Sequence, residues 1–280
     1  MTIIIANENG SNAFLRTVKC VLFFFLFSGL NSVIYSQSIS GVVNDYTEVT
    51  AIGSDFVEVS NATDFQVGDK ALLIQMKGAS ITTGNVSTFG TITSQNNAGN
   101  FEFVNISQIN GSQIIFANDL CQAYDFSGLV QLVRVPIYSD ADIISTLTAS
   151  PWNGSTGGVL VIEATNSISL NANIDLKGIG FRGGQITVGG FSCSDPNWAN
   201  NNGGEKGEGV AVAPSGQNEN RAPLANGGGG SNTGNPGAGG GGNAGTGGRG
   251  GNEWFGSCTL NSSFGVGGFD LDYSGDKAFL

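Results

Sequence analysis

From Gln37 to about Ser150 the chain alternates short apolar runs, rich in Val, Ile, Thr and Phe, with Gly, Asn and Asp, and no stretch keeps a 3.6-residue period. The pattern predicts strands throughout. Val57 and Val59 alternate with polar neighbours, Asp64 to Asp69 supplies a turn, and Lys70-Ala-Leu-Leu-Ile-Gln-Met76 is apolar on both faces, as a central strand is. In Phe101 to Phe116 two strand-like runs flank Asn110-Gly111, a pair that tolerates the positive φ angles of a tight type I′ hairpin. Leu129 to Tyr138 reads as a further strand ending near Pro136.

After Gly157 the texture changes. Val159 to Ile162 is continuously apolar, and Ile168, Leu170, Ala172, Ile174 and Leu176 then take every second position, which predicts a strand over 167–177. Gln185 to Val188 follows as another short strand. Short strands punctuated by Asn and Gly suggest rungs of a parallel β-solenoid, preferred here over a sandwich, although no fixed repeat length can be read. The expected fold class is all-β: a β-rich module over 37–150, a parallel β-solenoid-like segment over 151–199, a glycine-rich region over 200–252 and a continuing β segment over 253–280.

The glycine-rich region holds 20 of the chain's 45 glycines, 15 of them between Asn226 and Asn252. Glycine brings no apolar surface and loses the most backbone entropy on ordering, so an ordinary core is excluded. Two states stay open: a flexible surface loop, or extended polyproline-II-like strands that approach closely because side chains are missing, as at the axis of collagen. Gly227 to Gly230 and Gly239 to Gly242 break any G-X-Y register.

Composition narrows the function. There is no His, so Ser-His-Asp and Cys-His nucleophiles, H-E-x-x-H zinc sites and the H-R-D loop of kinases are all excluded. Lys and Arg number 11 against 22 Asp and Glu, a net charge of −11, which argues against nucleic acid as a partner.

Residues 1–36 read as an export signal: Arg16 and Lys19 precede the apolar run Cys20 to Leu30, and Ser36 places a small residue before Gln37. The run of 11 residues is short against the roughly 20 that span a bilayer, so no membrane span is expected in the mature chain. Export to an oxidising compartment leaves Cys121, Cys193 and Cys258; Cys193 with Cys258 is the preferred disulfide because the two bracket the glycine tract, with Cys121 the odd thiol and three unpaired thiols the alternative.

Three motifs bear on chemistry. Gly178-Ile-Gly-Phe-Arg-Gly183 has the spacing of a dinucleotide fingerprint, but strand and turn residues follow where that motif needs a helix, so turns between coils are the preferred reading. Asp270, Asp272, Ser274 and Asp276 match the first half of a calcium loop, and a solvated strand face is preferred over a metal site. Glu163, Asp175, Glu205 and Glu208 are the acids available for glycoside chemistry, which needs two carboxylates about 5 to 10 Å apart across one cleft. No other cofactor is expected.

The runs Phe65 to Gly78, Val130 to Pro136, Gly157 to Ile162 and Gly178 to Gly184 together resemble the N-terminal region of large secreted proteins of Bacteroidota. Those proteins carry C-terminal type IX secretion or gliding-motility-associated sorting domains and are adhesin-like. The resemblance implies a secreted or cell-surface location and a chain that belongs to something longer. The Asn226 to Asn252 tract is similar to the glycine-rich extracellular domain of anaplastic lymphoma kinase and leukocyte receptor kinases; V-A-I-K, H-R-D and D-F-G are all absent, so that similarity implies composition and not catalysis. The expectation is a non-enzymatic surface protein with polysaccharide or surface ligands, the alternative being a carbohydrate-active solenoid enzyme.

Overall fold

The computed structural model describes residues 3–6, 36–186, 197–232, 236–252, 264–274 and 277–279. Its strands are β1 (Ile3–Ala6), β2 (Gln37–Val42), β3 (Tyr46–Ile52), β4 (Phe56–Val59), β5 (Lys70–Gln75), β6 (Ser80–Ile81), β7 (Ile92–Ser94), β8 (Phe101–Asn110), β9 (Gln113–Phe116), β10 (Val130–Val135), β11 (Ile137–Thr148), β12 (Leu160–Leu170) and β13 (Asn200–Glu205). One 3-10 turn, Phe126–Gly128, interrupts them, so the all-β expectation holds. Among the described residues no helix is long and apolar enough to cross a membrane.

Six antiparallel strands close a barrel in the order β10-β3-β4-β9-β8-β5. Closure leaves no open edge in this module. The β8–β9 hairpin forms where the sequence predicts one, but one position later: Asn110 is the last residue of β8, opposite Gln113, and the two turn residues are Gly111 and Ser112, of which only Gly111 has positive φ, 65°, so the turn is not the type I′ expected. β5 lies between β8 and β10, and Ala71, Leu72, Leu73 and Ile74 are all buried, which explains its apolar character on both faces. Val49, Val57, Leu73, Ile114 and Leu132 fill the interior. The alternation of Val57 and Val59 places both in that core.

β2, β11 and β12 form a parallel sheet, with β1 parallel on the outer edge of β12 in the order β1-β12-β11-β2. Ile137 pairs with Glu163, and after one irregularity the register runs from Asp140–Ser167 to Ile143–Leu170. Each rung therefore lies 26 to 27 residues after its neighbour, the spacing of a solenoid coil. β2 and β11 are also neighbouring rungs, yet Gln37 pairs with Ala141. The whole barrel is inserted between them. The chain enters it after Asp45 and leaves at Pro136, where β10 ends and β11 begins, so the elements divide at Pro136 and not at residue 150.

The predicted 167–177 strand is shorter than expected. β12 stops at Leu170, which is 62% exposed, and a turn follows. Pairing resumes at Ile174, which bridges Leu147 in parallel, so the alternating apolar positions continue the same rung contact across a break. Ile39, Ala141, Ile143, Leu147, Leu160, Ile162 and Leu176 make the core of this sheet. Of the predicted Gln185–Val188 strand, Ile186 is almost wholly exposed and in no strand, and the last two residues lie outside the described ones.

Of the two states open for the glycine tract, the structure has the ordered one. Extended segments at 203–209, 219–225, 226–231, 237–243, 247–251 and 265–269 lie side by side and exchange backbone hydrogen bonds at three-residue steps. Gly237 and Gly240 donate to Gly251 and Gly248, Gly247 and Gly250 to Gly268 and Gly265, and Gly265 and Gly268 to Gly237 and Gly240. Three residues per turn is the period of polyproline II. The 265–269 segment is the centre of the sheaf, bonded also to Arg221, Ala225 and Gly229. A methyl group added at Gly228, Gly229, Gly230, Gly239, Gly247, Gly250, Gly267 or Gly268 would overlap a carbonyl oxygen of a neighbouring segment. Absence of side chains is thus the condition for this assembly. The 264–274 stretch is therefore a segment of the sheaf and contains no strand, unlike the continuing β segment expected at the chain's end.

The excursion between β5 and β8, which carries β6 and β7, covers one side of the sheaf. Phe89, Ala79 and Ala98 share a buried cluster with Val210, Ala222, Leu224, Leu271 and Phe279.

Candidate functional site

The acids singled out in the sequence are spoken for individually. Glu163 forms a 2.7 Å ion pair with Lys70. Asp175 accepts from the Lys177 backbone N–H in its own turn, and Glu205 accepts from the Gln185 N–H at 2.7 Å. Glu208 receives Nη2 of Arg182 at 2.8 Å and Nζ of Lys77 at 3.3 Å. Burial works against the Glu208 carboxylate, but the Arg182 hydrogen bonds and the charges of Lys77 and Arg182 outweigh it and bring the group down to about 2. A carboxylate held ionised and clamped by two cations is a poor proton donor. Arg182 comes from the Gly178–Gly183 motif, whose Gly178 has φ 70° and after which no helix begins among the described residues.

Asp270 and Asp272 are exposed on either side of buried Leu271. Asp272 accepts from both the backbone N–H and the hydroxyl of Ser274, each at 2.8 Å, and these bonds hold its carboxyl below the usual range. Asp276 lies outside the described residues. Within them the segment is an Asx turn and no group of three or more acidic or Cys side chains gathers, and the strand face expected here is absent as well. Cys193 and Cys258 also lie outside the described residues. Cys121 is an exposed free thiol whose N–H donates to Glu102.

The outer face of the parallel sheet is polar and ordered. The register places Ser38, Asp142 and Ser169 in one row across three strands, with Asp140 and Ser167 in the next. Asp140 Oδ1 accepts from Asn166 Nδ2 at 2.6 Å and from Ser167 Oγ at 2.5 Å, and Asp142 Oδ1 accepts from Asn171 Nδ2 at 2.7 Å. Each carboxylate is thereby fixed through one oxygen, and no described side chain bonds the other. Ile144, 56% exposed and two residues on from Asp142, adds apolar contact area beside this row. A shallow depression lies at the β8–β9 hairpin, bounded by Asn61, Thr63, Ile109 and Ser112.

Several charged residues that sequence reasoning missed are structural. Lys206 is buried, and its ammonium donates to the carbonyls of Trp198, Asn220 and Ala222 at 2.8, 2.8 and 2.6 Å while lying 4.9 Å from the Phe89 ring centre. Burial nevertheless lowers it to about 7. Lys77 sits between Glu208 and the rings of Phe181 and Trp152, with those rings edge to face at 5.6 Å. Arg221 stacks on Trp198 and Phe264. In the sequence these cations stand far apart, with no spacing that marks them.

Inside the fold, buried amides join the modules. Asn44 donates Nδ2 to the Val161 carbonyl at 2.6 Å and accepts from the Val161 N–H, acting as one residue of a strand beside β12. Gln131 similarly holds both backbone groups of Gly157.

No family model matches the chain, and no curated protein matches it. Three solved structures show partial likeness. The gp54 tailspike of Acinetobacter baumannii bacteriophage AP22, solved with A. baumannii capsular saccharide, is 14% identical at a TM-score of 0.26, covering 48% of this chain and 22% of that one. The tailspike gp49 of Pseudomonas phage LKA1 is 14% identical at 0.22, covering 41% and 20%. The tailspike gp61 of Pseudomonas phage phi297 is 9% identical at 0.25, covering 50% and 21%. This chain thus spans about a fifth of each tailspike, and the TM-scores carry no argument about its function.

Proposed function

We propose that this chain is an exported, non-catalytic surface protein that holds polysaccharide through many weak polar contacts. The observation that carries the reading is the row of Ser38, Asp142 and Ser169 with its neighbours Asp140, Asn166, Ser167 and Asn171. Sugar hydroxyls are recognised by fixed acceptors and donors, and here the carboxylates are immobilised by neighbouring amides and hydroxyls before any ligand arrives. Each such hydrogen bond contributes only about 0.5 to 1.5 kcal/mol net. Useful affinity from them requires many copies acting together. Support against a cleft enzyme comes from Glu208 and Glu163, both engaged in ion pairs.

The test arrays residues 37–280 on beads, measures attachment to polysaccharide-coated surfaces, and assays the same polysaccharides for breakdown. Attachment that falls when Asp140 and Asp142 are both changed to Ala, without turnover, is the expected result. Release of reducing ends or unsaturated sugars would instead establish the carbohydrate-active enzyme, and adhesion no better than that of an unrelated acidic protein would leave a structural stalk.

A further inference from the structure

The parallel sheet has two ends, and they differ. At one end β2 is the last strand, and no described residue hydrogen-bonds to its outer edge. At the other, β12 carries β1 as a parallel partner, Ile3 opposite Leu160 through Ala6 opposite Glu163. Backbone groups in a strand point alternately to its two sides. Val161 and Glu163 turn theirs inward, to Asn44 and to the Pro136 carbonyl. Leu160 and Ile162 therefore present theirs to the edge along which Ile3–Ala6 runs.

Those four residues fall within the segment read as an export signal. Removing it before Gln37 takes away the strand that covers Leu160 and Ile162 and makes β2 the first element of the remaining chain. Among the described residues both ends of the sheet are then open. Native edges are ordinarily blunted by Lys or Pro. Neither Gln37–Val42 nor Leu160–Ile162 contains either, and only Gly41, at φ 69°, bends the end of β2.

We infer that Ile3–Ala6 caps the β12 edge, and that its removal lets the β2 edge of a second copy take its place. All four strands run in one direction, so the incoming β2 continues the sheet in parallel, as β1 does. The two surfaces are different parts of the molecule, which makes the contact head-to-tail, and because each copy continues the parallel sheet in the same direction, successive copies extend into an open filament. Such a filament supplies the multivalency that the polysaccharide-binding reading requires, and it rests on the export part of that reading. Timing follows from the cap: assembly waits for processing.

The experiment prepares both lengths directly, so that it does not depend on cleavage in a cell. Sedimentation of 1–280 should give one chain mass, 28.7 kDa, at every concentration. The 37–280 chain, confirmed folded by circular dichroism, should show at least roughly a doubling of weight-average mass as concentration rises, as an open-ended association does. Full-length protein carrying Ile4→Pro with Ile5→Pro should associate in the same way, because proline cannot donate to the ladder. Adding Ser38→Lys and Ser40→Lys to 37–280 should return it to a monomer. A folded 37–280 chain that stays monomeric overturns the proposal, as does association indifferent to the two lysines. Failure of the export reading alone would appear separately, as unprocessed protein outside the cell.

Discussion

Lys277 and Asn100 lie 177 residues apart in the chain and meet at 2.8 Å, where the lysine ammonium donates to the asparagine Oδ1. The same ammonium donates to the carbonyls of Asn96 and Ala98 at 2.8 Å, the Ala278 N–H donates to Gly99, and the Phe279 ring lies where a Gly99 side chain would be. The glycine sheaf is tied to the excursion that covers it. Hydrogen bonds to a charged group contribute about 1.5 to 3 kcal/mol, less where solvent reaches them, so Lys277→Met should cost about 1 to 2 kcal/mol. Hydrogen exchange should speed up at Ala278 while the barrel amides keep their protection. Unchanged exchange there would show that the strap carries no load.

The sheaf makes a paired prediction about glycine. Gly267→Ala sets a methyl group into the carbonyl of Gly247, whereas a methyl group at Gly248 meets nothing within 4 Å. Overpacking costs about 1 to 3 kcal/mol when neighbours can shift, and the neighbours met here are backbone atoms of Gly247 and Gly248, which resist shifting. Gly267→Ala should lower the melting temperature clearly; Gly248→Ala should leave it unchanged or raise it, since alanine reduces unfolded-state entropy by about 0.4 to 1 kcal/mol. Equal effects at the two positions would mean that the tract is not ordered in solution.

Lys206 sets a pH dependence. Burial lowers its folded value to about 7 from the ordinary 10.5, so between these limits the unfolded chain binds the extra proton and stability rises with pH. The contribution is fully present above 10.5 and is lost as pH falls through 7. Denaturant midpoints from pH 6.5 to 10 should climb in the native protein, and Lys206→Met should remove that part of the slope. A slope identical in the two proteins would mean that the three carbonyls and the Phe89 ring keep the ammonium charged throughout.

Processing is checked by mass. Protein recovered outside the cell should begin at Gln37, and a non-reducing peptide map should contain Cys193 linked to Cys258 with Cys121 alkylatable, in keeping with its exposed thiol here. Retention of residues 1–36, or Cys121 in a crosslink, contradicts it.

What could be read from the sequence was local. Gly111 announced the β8–β9 hairpin, to within one position of its Gly111-Ser112 turn, because a two-residue turn needs only its own residues and the strands beside it. The central position of β5 showed in its unbroken apolar run. Barrel closure did not show, because it depends on β10 finding both β3 and β5, and Gln131 opposite Glu48 is a contact across most of the module. The sheaf was half legible: composition excluded a core and allowed close approach, but only the hydrogen bonds among Gly237, Gly248, Gly265 and Gly268 decide between loop and lattice. The buried lysines were invisible, since the oxygens that surround Lys206 are backbone carbonyls and leave no mark in residue types.

The inserted barrel alters how the first rung is assembled. As a chain still being extruded, β2 emerges about a hundred residues ahead of β11, and joining ends so far apart carries a loop-closure cost. The barrel's first and last strands are themselves neighbours, Tyr46 opposite Val133, so a barrel that folds first brings Val43 and Pro136 side by side. The gap then left to close is a few residues on each side. In kinetic terms the insertion is a splint: it shortens a distant contact into a near one, and β2 finds its rung as soon as β11 is released.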